Sequence, residues 1–276
     1  MKNVVKIGWK YVVLFAWFLL SIVLFEHFLY KGNTDMTKEI SKASLPVVSV
    51  RYDGHDLNKM FGYTEDIDFS LIRDGITPLS EDRNISFRVY KKENNISKIE
   101  FELRSVDESR FIESDEVSDL TLTTDYIDAQ IAFKDLILDK TEYMLKIIIS
   151  TVSGRKIDYY ARIVKDDDLG FEDKVDYVYY FSECTFDKER AADELVKYLE
   201  SNKSGDNTNF HHVNINSSLD QVTWGKLNPS VTSKVVCTVE EIDSKSAKMK
   251  LEYVVQAGVD DIKQYSVVEE YILSDA

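Results

Sequence analysis

The stretch Tyr143-Met-Leu-Lys-Ile-Ile-Ile-Ser-Thr-Val-Ser-Gly-Arg-Lys-Ile-Asp-Tyr-Tyr-Ala-Arg-Ile163 decides the fold class. Tyr143, Leu145, Ile147 and Ile149 recur at every second position, and Ile157, Tyr159, Ala161 and Ile163 resume the period after Ser153-Gly154-Arg155. Successive side chains of a strand point to opposite faces, so each arm carries one apolar face and the turn pairs the arms as a hairpin.

The same period spreads outward. Pro46 to Tyr52 reads as a strand closed by the turn pair Asp53-Gly54. Ile85, Phe87 and Val89 alternate with polar neighbours, as do Ile99, Phe101 and Leu103 after the polar stretch 91–95, which predicts a second half-buried hairpin. Shorter strand candidates lie around Leu120 to Thr124 and Gln130 to Lys134. About seven strands with frequent turn signals predict an immunoglobulin-like β-sandwich over residues 45–165, with a small barrel as the alternative.

The acidic cluster Lys165-Asp-Asp-Asp-Leu-Gly170 reads as an interdomain joint, and an α+β domain is expected over 166–276. Ala191, Ala192, Leu195, Val196 and Leu199 share one face of an amphipathic helix from Asp187 to Glu200, with Thr185 as its cap. Val175 to Phe181 fits either a buried strand or an earlier helix. Ser218-Leu-Asp-Gln221 has capping spacing and opens a short helix ending near Trp224-Gly225. Three strands follow, carried by Val235, Cys237 and Val239; by Met249, Leu251, Tyr253 and Val255; and by Tyr265, Val267, Glu269, Tyr271 and Leu273. The last runs almost to Ala276, which suggests a fragment of a longer protein.

Ahead of the β region lies a charge-free run from Tyr11 to Phe25, with Lys2, Lys6 and Lys10 before it and aromatic residues Trp9, Tyr11 and Tyr30 at its margins. This predicts a transmembrane helix over 11–30, a cytoplasmic N-terminus over 1–10, a stalk over 31–44, and a C-terminal part outside the cytoplasm. A cleaved signal peptide is the competitor, but Phe25-Glu-His-Phe-Leu-Tyr-Lys31 lacks the small residues that cleavage needs. The bilayer is thus the first expected partner.

The whole chain has a net charge of -15, and its acidic excess lies in the region after the anchor, which disfavours nucleic acid as a partner. Asp166 to Asp168 with Glu172 and Asp173 lack the order of a calcium loop. Ser153-Gly-Arg-Lys156 matches the S-x-x-K of penicillin-binding enzymes but falls in a hairpin turn rather than at a helix start. Cys184 and Cys237 read as two separate thiols, since Cys237 shares the apolar face of Val235 and Val239. No catalytic residue, cofactor or metal is expected. Asp206, Asn209, His212 and Trp224 form the polar spot that best suits a partner or ligand contact, against the plainer reading of a self-satisfied turn.

Leu45-Pro46, Tyr52-Asp-Gly-His55, Phe61-Gly-Tyr63, Ile76-Thr-Pro-Leu79, Gly205-Asp-Asn-Thr-Asn-Phe210 and Ser217-Ser-Leu-Asp-Gln-Val-Thr-Trp-Gly225 carry a resemblance. The chain resembles a family of large uncharacterised, membrane-anchored extracytoplasmic proteins of Gram-positive anaerobes. That resemblance implies a longer ectodomain and a bacterial cell envelope, and it implies no activity. The expected function is therefore a non-enzymatic binding or scaffold protein of the envelope, contacting another envelope protein or a wall component. The alternative is a wall hydrolase or transpeptidase whose catalytic part lies in a C-terminal extension.

Overall fold

The computed structural model describes residues 2–29, 44–68, 71–72, 75–79, 81–107, 109–135, 137–200, 202–259 and 261–274. The chain divides into two compact units, Met1–Ala43 and Ser44–Ala276. In the first, helix α1 (Lys2–Leu29) occupies the stretch expected to be the anchor, and its apolar side chains, Trp9, Leu14, Trp17 and Phe25 among them, are exposed. Among the described residues no helix is long and apolar enough to cross a membrane. Tyr30 and all of the expected stalk except Ser44 lie outside the described residues.

The second unit is mainly β, built from two sheets. β1 (Val47–Tyr52) and β2 (His55–Phe61) form an antiparallel hairpin, β4 (Asn84–Tyr90) pairs with β1, β8 (Tyr126–Ala132) pairs with β4, and β7 (Asp119–Leu122) closes that edge. The smaller sheet runs β3 (Ile76–Pro78), β10 (Lys156–Val164), β9 (Glu142–Thr151), β5 (Ile96–Ser105), β6 (Phe111–Glu116). The β9–β10 hairpin has the register expected from its alternation, with Ile149 opposite Ile157 and Tyr143 opposite Ile163. Val48, Phe87 and Ile127 from the larger sheet and Ile99, Leu145 and Tyr159 from the smaller one share one apolar core. Packed sheets with interdigitating inner faces make a β-sandwich.

The alternating stretches 85–89 and 99–103 are not a hairpin. β4 lies in the larger sheet and β5 in the smaller, so the two face each other across the core. Alternation fixes which face of a strand is buried and leaves its neighbour open, since both arrangements hide the same side chains.

Residue 166 is likewise no boundary between compact units. β12 (Val236–Ile242) adds in parallel to β2, placing Val236 beside Asp56 and Cys237 beside Leu57. β13 (Ser246–Ala257) pairs with β12 and with the short β11 (Ser230–Val231) on one side and with β14 (Lys263–Ser274) on the other, so a single nine-stranded sheet crosses the expected joint. In the joint itself Asp167 and Asp168 pair with Lys165 and Lys140 at 3.6 Å and 3.1 Å.

The ambiguous stretch 175–181 is helical. α2 (Phe171–Thr185) buries Val175, Val178, Tyr179 and Ser182, the i, i+3, i+4, i+7 stripe of one helix face. That stripe covers the part of the large sheet that the small sheet leaves bare: Phe171 meets Tyr52 at 5.1 Å and Phe181 meets Tyr271 at 5.6 Å.

The next helix is shorter than expected. α3 (Lys188–Glu194) is followed by a single 3-10 turn, Val196–Tyr198, and its cap is Asp187, whose carboxylate accepts from the Glu189 and Arg190 backbone N–H groups. Thr185 is not the cap because it ends α2 and donates its hydroxyl to Ser182 O at 2.7 Å. α4 (Leu219–Val222) is capped by Ser218 as the spacing required. Cys184 and Cys237 are both buried and free.

Candidate ligand-binding cleft

The site is assembled from the β1–β2 turn outward. Asp53 and Gly54 both have positive φ, 39° and 82°, the conformation of a two-residue hairpin loop that matches strand twist. The tight turn puts Arg51 directly opposite Asp56, and their side chains form an ion pair at the strand ends. Asp56 is buried, at 4% exposure. Burial alone would raise its carboxyl, but hydrogen bonds from Tyr90 and Arg51 and the charge of Lys234 outweigh it and hold the group below the usual carboxylate range. Lys234 Nζ donates to the Tyr90 hydroxyl at 2.8 Å and lies 3.6 Å from Asp56 Oδ2.

Helix α2 supplies the opposite wall. Tyr179 stacks on His55 at 4.2 Å, and its hydroxyl, on a side chain only 8% exposed, has no hydrogen-bond partner. Burial pushes that phenol well above its ordinary pKa, so it stays a neutral donor. Tyr253 and Phe186 meet at 6.1 Å, and Tyr253 is held by donating its hydroxyl to Glu269 at 2.7 Å. With Val231 and Val235 these residues line a cleft of about 310 Å³.

The cleft offers the N–H donors of Lys234 above a mostly apolar surface, with the Tyr179 hydroxyl buried in its wall. His55 and Ser182 both line it, and among the described residues no hydrogen bond joins His55 to Ser182 or to a carboxylate.

The polar spot expected around Asp206 is a separate loop. Asp206 accepts from the Ser218 N–H at 2.7 Å and Asn209 from the His211 N–H at 3.2 Å. His212 is exposed and its carbonyl accepts from Asn207, while Trp224 turns away to pack on Phe186 at 5.6 Å. Asp206 and Asn209 thus hold the loop backbone, and Trp224 reaches the cleft only indirectly, through Phe186.

None of the cleft residues stands out in the sequence. Arg51, His55 and Asp56 surround a recognised turn, but Tyr179 and Lys234 join them only through the parallel β2–β12 pairing and the docking of α2. The turn pair Asp53-Gly54 was the one local signal.

No protein-family model and no curated protein matches the chain. Among solved structures, the crystal structure of CopC from Methylosinus trichosporium OB3b is similar over 35% of this chain and 87% of that one, at 8% identity and a TM-score of 0.24.

Proposed function

We propose that this chain is a membrane-tethered, extracytoplasmic binding protein of the bacterial cell envelope, without catalytic activity. Its immunoglobulin-like sandwich is the scaffold, and its cleft takes an oxygen-rich wall component such as a sugar. The observation that carries this reading is the Lys234 ammonium at a largely apolar cleft, with the unpartnered Tyr179 hydroxyl buried in the wall behind it. A buried donor left unpaired costs free energy that a ligand oxygen can recover. Apolar walls suit the carbon skeleton of the same ligand.

The tether is supported by the sequence of α1, charge-free from Tyr11 to Phe25 and preceded by three lysines, and by its exposed apolar side chains. The orientation that follows has residue 1 inside and Ser44 onward outside.

The test is calorimetric titration of the detergent-solubilised full chain with defined wall-glycan fragments, together with Tyr179→Phe and Lys234→Met. Saturable binding that weakens several-fold in each variant is expected, in line with the loss of one hydrogen bond. Absence of saturable binding, or binding indifferent to both substitutions, overturns the ligand assignment. Extraction of the cellular protein by alkaline carbonate overturns the tether.

A further inference from the structure

We infer that β14 is a docking edge, and that its occupant is the β14 of a second copy of this chain, paired antiparallel about a two-fold axis through Ser266.

An edge strand presents unpaired backbone donors and acceptors, and folded proteins blunt such edges with short length, proline, bulges or charge. The other described edges carry these devices. β7 has four residues, β3 has three and contains Pro78, and β6 is acidic and meets β5 through a register shift at Leu103/Arg104. β14 carries none of the first three. Its twelve residues pair with β13 without a register shift, contain no proline, and have no partner on the far side among the described residues. Val268 and Ile272 on it are 54% and 82% exposed.

Self-pairing explains the charges the strand does carry. Centred on Ser266, an antiparallel ladder over residues 263–269 sets Lys263 of each copy opposite Glu269 of the other and Tyr265 opposite Val267, with no like charges opposed. Directly opposed charges of opposite sign and aromatic pairs with β-branched residues both favour such a ladder. A ladder centred on Glu269 or Glu270 would oppose two carboxylates. A two-fold axis uses the same patch on both copies, so one unprotected edge suffices. Beside the edge, Tyr198 is 45% exposed and packs on Phe181, which in turn meets Tyr271 of β14, so partly open aromatic surface flanks the ladder.

The experiment is sedimentation of the full chain in detergent at physiological salt, with Ser266→Lys, and with Ser266→Cys and Val268→Cys under mild oxidation. Expected are a concentration-dependent dimer, its loss in Ser266→Lys, and an intermolecular disulfide in Ser266→Cys but not in Val268→Cys. Cys184 and Cys237 are buried and do not interfere. Leu122→Lys on β7 serves as the control and leaves the dimer intact. A monomer at every concentration, or a dimer that Ser266→Lys does not touch, overturns the inference. So does a monomer that captures a foreign extended segment and loses it in Ser266→Lys, since the edge would then belong to another partner.

Discussion

Val239 donates its backbone N–H to the side-chain oxygen of Asn58 at 2.8 Å, joining strands 181 residues apart in the chain. Asn58 sits with φ 44° at the irregularity of β2, where Val48 opposes Met60 and Val50 opposes Leu57. Its amide nitrogen donates to Ile76 O at 2.9 Å and to Thr77 Oγ1 at 2.8 Å, both on β3 of the other sheet. Both polar atoms of this buried amide are therefore matched, and from β2 it bonds to two further strands, β12 and β3.

Asn58→Ala leaves the Val239 N–H and the Ile76 carbonyl without partners and puts a residue that dislikes positive φ at a left-handed position. The expected loss is about 2–4 kcal/mol in urea unfolding. The wild-type unit Ser44–Ala276 should unfold in one calorimetric transition. Two resolved transitions split near residue 166 would contradict the shared sheet.

Lys146, on the outer face of β9, is buried between Asp158 and Asp66, each at 2.8 Å. Burial alone would lower its ammonium pKa, but the bonds to Asp158 and Asp66 prevail and hold it well above the ordinary lysine value. A folded-state pKa above the unfolded one, about 10.4, gives stability fully present below that value and lost as pH rises through the folded pKa. Lys146→Met should remove this alkaline loss and cost about 3–5 kcal/mol at neutral pH by orphaning the buried Asp158. Melting curves across alkaline pH check both.

Asp56 behaves with the opposite sign. Its carboxyl is held below the usual range, so its contribution is present above the unfolded value of about 3.9 and lost as pH falls through the folded pKa. Asp56→Asn should flatten the acid limb of stability against pH. An unchanged acid limb would mean that Arg51, Tyr90 and Lys234 do not favour the ionised form.

Cys237 is fully buried, and burial pushes its thiol up to about 12. The thiolate is the reactive form, so neither burial nor protonation state favours attack at neutral pH. Iodoacetamide should leave Cys237 unmodified in the native protein and alkylate it after denaturation, and reductant should not change the native mass. Rapid native labelling would show that β12 opens.

Tyr179→Phe removes a hydroxyl that bonds to nothing. Its unfolding free energy should change by less than about 1 kcal/mol, because no partner is stranded. A large loss would reveal a structural bond to that oxygen and remove the reason for assigning it to a ligand.

The strands were legible wherever their period was clean. Tyr143 to Ile163 declared its turn, its register and its buried face, because a two-residue period and a Gly154 turn are local properties. Ile85 to Leu103 declared its faces only, since a sandwich and a hairpin bury the same alternate residues. The parallel pairing of Cys237 with Leu57 left no local trace, and the cleft depends on it. Asp206 and Asn209 are legible as a loop because turn-forming side chains cluster there in the sequence. Tyr179 did not, because it reads as one more apolar position on a helix until the missing partner of its hydroxyl is seen in space.

The β2–β12 junction also bears on the order in which the chain can fold. β1, β2 and β4 are made early, yet the second neighbour of β2 is synthesised some 180 residues later. Loop closure over such a span precedes any reward from the contact, which slows folding and leaves β2 open as a temporary edge. As the chain is made N-terminus first, the early sandwich strands must wait with that edge bare, and any folding helper would meet β2 unpaired before it meets a strand still exposed in the finished protein.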